Sequence, residues 1–171
     1  MSDQAETIVV VDTNHGSFKI ALDAARAPIS VANFLSYVDS GHYEGTIFHR
    51  VIDGFMVQGG GYDASYERKP TRDPIANEAH NGVKNTRSTV AMARTGEPHS
   101  ATAQFFVNVA DNAFLDHKSK EPRDYGYAVF GRVTEGMDVV DAIKALATGP
   151  AGPFSKDAPV QQVVIRSVKR A

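Results

Sequence analysis

Residues 48–61 read FHRVIDGFMVQGGG. Phe48, Val51, Ile52, Phe55, Met56 and Val57 are apolar, yet His49, Arg50, Asp53 and Gln58 sit among them and three glycines close the run. An ordinary buried strand does not carry an arginine and a glutamine so near its apolar positions, because each would have to find a partner or stay in water. A second run, QFFVNV at 104–109, has the same mixture, with Gln104 directly before Phe105 and Phe106. NAFLD at 112–116 adds Phe114 and Leu115 after a short loop. Read together, these residues describe an apolar cleft edged by Arg50, Gln58 and Gln104. Such a surface suits a peptide: apolar walls take a side chain and fixed polar groups take the backbone. By residue type alone, the plainer reading of Arg50 is a rim arginine paired with a carboxylate, with Phe55 and Met56 as simple core.

Other chemistries find little support. The three glycines at 59–61 are followed by no Lys-Ser/Thr and open no helix, so they do not form a phosphate loop; a strand end that needs close approach or positive φ is the better reading. The six histidines, His15, His42, His49, His80, His99 and His117, show neither HExxH nor a paired i, i+4 spacing. No G-x-S-x-G elbow marks a serine hydrolase. With no Cys, disulfides, thiolate metal sites and cysteine nucleophiles are ruled out. No cofactor is expected.

The elements that must position the cleft follow from periodicity. TIVVVDTNHGSFKIALD alternates on either side of a TNHG turn, a β-hairpin signature. In APISVANFLSYVDSGHY, Val31, Phe34, Leu35 and Val38 form one helical stripe, with Pro28 near its start and Gly41 just past its end. TIFHRVI, FMVQGG, TVAMART, QFFVNV, YAVFGRV and VQQVVIRSVKR read as strands. A second helix fits EGMDVVDAIKALATG, with Met137, Val140, Ile143 and Lys144 on one face and Gly149-Pro150 as its stop. Residues 62–88 are polar and rich in Asn, Asp and Pro, a long loop. Many short strands with two singly inserted helices favour a closed antiparallel barrel with packing helices over a βαβ sheet.

A chain of 171 residues with 42% hydrophobic and 22% charged residues fits one soluble domain, 1–171, with residues 1–6 as a flexible N-terminus. Net charge is −2 and no long basic run occurs, so neither nucleic acid nor a membrane is expected as a partner. The acidic, polar start MSDQAET has no basic segment followed by an apolar run, and a cytoplasmic protein is the expectation.

FHRVIDGFMVQGGG, MART, ATAQFFVNV, NAFLDH and YAVFGRV stand in the order seen in cyclophilins, the peptidyl-prolyl cis-trans isomerases, and the two helical segments match as well. The resemblance covers roughly residues 7–169 and is greatest to the bacterial cytoplasmic branch. It implies a mainly β fold: an eight-stranded antiparallel barrel, capped by two α-helices, with a packed interior and the active site on the outer face. It implies a catalytic role for Arg50, proline-pocket walls from Phe55, Met56, Phe106 and Leu115, and backbone contacts from Gln58 and Gln104. Ala93 and Arg94 match the strand edge that pairs with substrate, Phe114 and Tyr127 the pocket rim, and His49 lies near the site. Expected partners are proline-containing peptides and unfolded proteins, met by a monomer.

Three positions depart from many eukaryotic members. Phe114 replaces Trp and lacks the indole N–H donor, so cyclosporin should bind weakly. Tyr127 replaces His. Arg94 replaces Asn and puts charge beside the cleft, which would favour acidic residues near the substrate proline. The loop HKSKEPRDYG, 117–126, matches the family pattern poorly. A second reading from another class is a proline-peptide-binding module or chaperone-like holdase in which turnover is incidental.

Overall fold

The opening hairpin forms as its alternation requires: β1, Thr7–Thr13, pairs antiparallel with β2, Gly16–Leu22. The computed structural model describes residues 7–171, so the flexible N-terminus expected at 1–6 lies outside the described residues. Helix α1, Pro28–Asp39, follows, then the short strands β3, Arg50–Ile52, and β4, Met56–Gly59. Strands β5, Thr89–Met92, and β6, Phe105–Asn108, come after the long polar loop, and β7, Val129–Glu135, leads into helix α2, Met137–Lys144. A hairpin of β8, Thr148–Ala151, and β9, Phe154–Pro159, precedes the last strand, β10, Ile165–Arg170.

Eight strands form one antiparallel sheet in the order β10-β1-β2-β7-β5-β6-β4-β3. The sheet curls into a half-barrel rather than the fully closed barrel expected: its edge strands β10 and β3 do not pair, and only the residues just before β3 reach across. The seam is narrower than a continuous ladder: Ile47 bridges Val164, flanked by Phe48 N–H to Val163 O at 3.0 Å and Ile165 N–H to Thr46 O at 2.7 Å. The expected strand over TIFHRVI is thus a strand only at Arg50–Ile52, its first residues serving as the seam.

Inward residues of the strands and one face of each helix make a single core. Phe34 of α1 lies 5.2, 5.5 and 5.1 Å from the rings of Tyr43, Phe105 and Phe130, and Val140 and Ile143 of α2 join the same cluster. The expected stripe on α1 is the buried one, with Leu35 at its margin. The amino end of α1 is capped from far away in sequence. The Glu78 carboxylate accepts the N–H of Ile29 at 3.2 Å and of Ser30 at 2.7 Å, where the helix dipole favours negative charge. Gly149 and Pro150 do not mark the end of α2, which closes at Lys144; they belong to the β8–β9 hairpin, which periodicity did not reveal.

Candidate active site

The mixed composition of the two runs has a geometric cause: their strands are buried on both faces. Val51, Val57, Phe105, Val107 and Val90 point into the barrel core. Met56, Ala91, Ala93 and Phe106 alternate with them and build a second apolar cluster outside the barrel, with Leu115 and Val129. Register then sets the polar residues beside it. Arg50 of β3 is paired with Gln58 of β4, Gln58 with Phe106 of β6, and Phe106 with Ala91 of β5, one rung across the outer face.

A cavity of about 100 Å³ opens on this rung. Arg50, Phe55, Met56, Gln58, Ala93, Arg94, Phe106, Leu115 and Tyr127 line it. Met56 and Phe106 are 2% and 4% exposed and form its floor, whereas Arg50 stands in solvent at its edge. Gln58 Nε2 donates to Gln104 Oε1 at 2.9 Å, fixing both amides beside the arginine. Phe114 is exposed at the rim, 5.5 Å from the Phe55 ring. Arg94 lies 4.5 Å over the Tyr127 ring and donates from Nε to Gly126 O at 3.0 Å, so its charge is held in place along one wall. Among the described residues, Arg50 has no carboxylate within ion-pair distance, which removes the plainer reading of a paired rim arginine.

Of the expected site residues, Gln104 and Phe114 stand against the lining rather than in it, and His49 is turned away from the cavity. It is 4% exposed, stacked 5.0 Å from Phe154 and 4.8 Å from Tyr62. Burial, with the adjacent Arg50 charge adding, pushes its pKa down to about 4. It is therefore neutral at pH 7 and sits behind the arginine as packing. Successive side chains in extended backbone point to opposite sides, so His49 adjoins Arg50 in the chain without lining the cavity.

The glycine run answers to close approach. A Cβ on Gly59 would lie 2.7 Å from Ile47 O, and one on Gly61 would lie 2.5 Å from the Gln104 side chain. Gly60, at φ +93°, adopts a backbone that L side chains rarely take.

Two sets of supporting residues were not found by sequence reasoning. Phe154 and Tyr62 back His49, and Phe154 comes from the unforeseen β8–β9 hairpin. Beneath the cavity, three buried asparagines join separate elements. Asn112 Nδ2 donates to Phe55 O at 2.9 Å and to Asn108 Oδ1 at 2.8 Å. Asn108 Nδ2 donates to Asn85 Oδ1 at 3.1 Å, and Asn85 Nδ2 reaches Leu115 O at 3.3 Å and Tyr127 O at 3.2 Å. The backbones carrying three cavity walls are thus tied to one network. Asparagine-rich loops offer no local signal of which members are buried.

A pocket floored by apolar side chains and flanked by two fixed amides and a guanidinium without a carboxylate partner among the described residues has the shape and chemistry to take a small ring and a peptide backbone together. Comparison with known proteins points the same way. Residues 8–170 match the family model described as cyclophilin type peptidyl-prolyl cis-trans isomerase/CLD. The chain belongs to this cyclophilin family. It is 60% identical over 161 residues to a peptidyl-prolyl cis-trans isomerase of Streptomyces antibioticus, covering 94% of this chain and 96% of the relative. Over 161 residues it is also 53% identical to peptidyl-prolyl cis-trans isomerase B of Escherichia coli K12, covering 94% and 98%. A crystal structure of a Cryptosporidium parvum cyclophilin superposes with a TM-score of 0.76 at 25% identity, covering 97% of this chain and 98% of that one. The same parasite cyclophilin in the presence of the dipeptide Ala-Pro gives a TM-score of 0.75 at 24% identity, with 96% and 98% covered. As a cyclophilin, the protein is an enzyme that isomerises X-Pro peptide bonds.

Proposed function

We propose that Arg50 is the catalytic group of this isomerase and that the 100 Å³ cavity beside it receives the substrate proline. The observation that carries the proposal is the single rung Arg50–Gln58–Phe106, which sets a guanidinium, an amide and an apolar floor side by side. Rotation about a peptide bond must cross a barrier of about 18–20 kcal/mol. At the twisted transition state the imide nitrogen loses conjugation and becomes pyramidal, and its lone pair accepts a hydrogen bond that the planar amide cannot. A donor fixed near that nitrogen binds the transition state more tightly than either ground state, which is what accelerates a reaction. Arginine is always charged and carries several donors in a rigid fork. A charge-assisted hydrogen bond contributes roughly 1.5–3 kcal/mol, so Arg50 supplies about one to two decades of rate. The remainder comes from seating the ring on Met56 and Phe106 while Gln58, Gln104 and the Ala93–Arg94 edge hold the backbone. No bond is made or broken, so the reaction asks for no cofactor.

Proline-containing peptides and unfolded proteins are the proposed substrates, met by a cytoplasmic, single-domain monomer spanning 1–171. Resemblance to the cytoplasmic branch supports that location. Cyclosporin is proposed to bind weakly, since the Phe114 ring has no N–H to donate. Phe114→Trp should then tighten cyclosporin binding, measured by titration calorimetry, and an unchanged affinity would remove this explanation. The binding-only alternative is disfavoured by family membership. Arg50→Lys provides the direct test of the catalytic role, because a binding module would not need the planar fork.

A further inference from the structure

All eight X-Pro bonds of the folded chain are trans. An unfolded chain holds each of them cis in roughly 10–30% of molecules, and exchange takes tens to hundreds of seconds at 25 °C. Most unfolded copies therefore start to fold with at least one wrong bond, and the product of folding is an enzyme for that correction. Which bond gates the last step follows from where the prolines sit. Pro28 opens α1 behind the buried Ala27, and Ala158 and Pro159 are themselves buried, so these bonds must be trans before the core can close.

Gly152–Pro153 is different. Both residues are exposed, and they form the whole turn of the β8–β9 hairpin, since Ala151 pairs with Phe154. The hairpin is a separate two-stranded sheet, so the eight-stranded sheet can assemble without it. It docks by its tip. A Cβ on Gly152 would lie 2.6 Å from the Tyr66 side chain, and Phe154 packs 4.9 Å from Tyr62 and 5.0 Å from His49, the residue before Arg50. A cis bond shortens the Cα–Cα step from about 3.8 to about 2.9 Å, and cis proline at the third position of a four-residue turn makes a defined turn of another type. The wrong isomer thus has a closed turn of its own and misaligns Phe154. The late folding species it leaves is a formed sheet with an undocked hairpin, its Gly152–Pro153 bond open to a second molecule.

We infer that the protein is a substrate of its own kind: a folded copy isomerises the Gly152–Pro153 bond of a copy still folding, which makes the final docking of Phe154 behind Arg50 autocatalytic. This needs the isomerase activity of the family and not the assignment of that activity to Arg50. The test is refolding by dilution from guanidinium chloride, followed by tyrosine fluorescence, since the chain has no Trp and Tyr62 and Tyr66 lie against Phe154. After long unfolding, a slow phase of roughly 10–30% of the amplitude is expected; after unfolding for only about one second, before the prolines exchange, it should be absent. Folded wild type added to the refolding mixture should accelerate this phase. At kcat/KM of about 10⁴ M⁻¹s⁻¹, about 10 μM enzyme adds about 0.1 s⁻¹ to an uncatalysed rate of about 0.01 s⁻¹, a gain of about tenfold. Serum albumin at the same concentration should leave the rate unchanged. P153A, on an exposed turn, should keep the activity toward X-Pro peptides and lose most of the slow phase. A slow phase whose rate ignores folded enzyme would overturn the inference, as would equal acceleration by albumin or a slow phase that P153A leaves at full amplitude.

Discussion

At the scale of single residues, the account turns on Arg50 facing Gln58 across β3 and β4 while carrying no carboxylate partner among the described residues. A structural arginine would be paired; a catalytic one has to be available. Lysine keeps the charge but loses the fork and its fixed donors. Arg50→Lys should lower kcat/KM about 10–100-fold with KM little altered, as loss of an interaction made mainly in the transition state requires. Progress curves over a range of peptide concentrations separate the two parameters, and a rise in KM alone would assign Arg50 to ground-state binding. The cavity-lining residues were legible in the sequence because strands buried on both faces leave a recognisable record: apolar runs interrupted singly by Arg50, Gln58 and Gln104. His49 shows the limit of that reading. Its neighbour in sequence is at the site, but its own side chain points to Phe154 and Tyr62.

At the scale of elements, the six strand-forming runs and both helices are local patterns, and each appears in the fold, although TIFHRVI narrows to Arg50–Ile52 and the second helix stops at Lys144. What the patterns did not show is what holds one element to another. The β8–β9 hairpin is mostly exposed or half-buried, so it carries no strong alternation, and its Gly149-Pro150 resembles a helix stop. Yet its Phe154 packs on the histidine preceding Arg50. Phe154→Ala should cost about 1–3 kcal/mol of stability, less than the 3–5 typical of a fully buried phenylalanine, and should lower kcat more than it raises KM by loosening β3. Denaturant unfolding and steady-state rates read the two effects separately; full activity would show that the hairpin does not steady Arg50. The asparagine network is the counterpart under the cavity. Asn112→Ala leaves Asn108 Oδ1 without its donor and Phe55 O with only the N–H of Val109, and should destabilise the fold by about 1–3 kcal/mol.

Across the whole molecule, a sheet curled around its own core leaves function to its outer surface, and the buried groups decide how the fold responds to acid. His49 has a pKa near 4 in the folded chain against 6.5 when exposed. Between those values the unfolded chain binds a proton that the folded one excludes. Stability therefore falls as pH drops from about 6.5 toward 4, by at most about 3 kcal/mol from His49. His42, also lowered, chiefly by burial, acts in the same direction. His49→Phe keeps an aromatic ring on Phe154 and should flatten the fall in Tm over that window, leaving the smaller His42 share; an unchanged slope would place the acid sensitivity elsewhere. The central claim, that Arg50 acts on the transition state of a bound proline, is tested most directly by NMR. Cis-trans exchange and binding are measured on the same X-Pro peptides with wild type and with Arg50→Ala. The account predicts that both proteins bind, with affinities within a few-fold, while only the wild type accelerates exchange. Full acceleration by Arg50→Ala would contradict it, as would binding by both proteins with acceleration by neither.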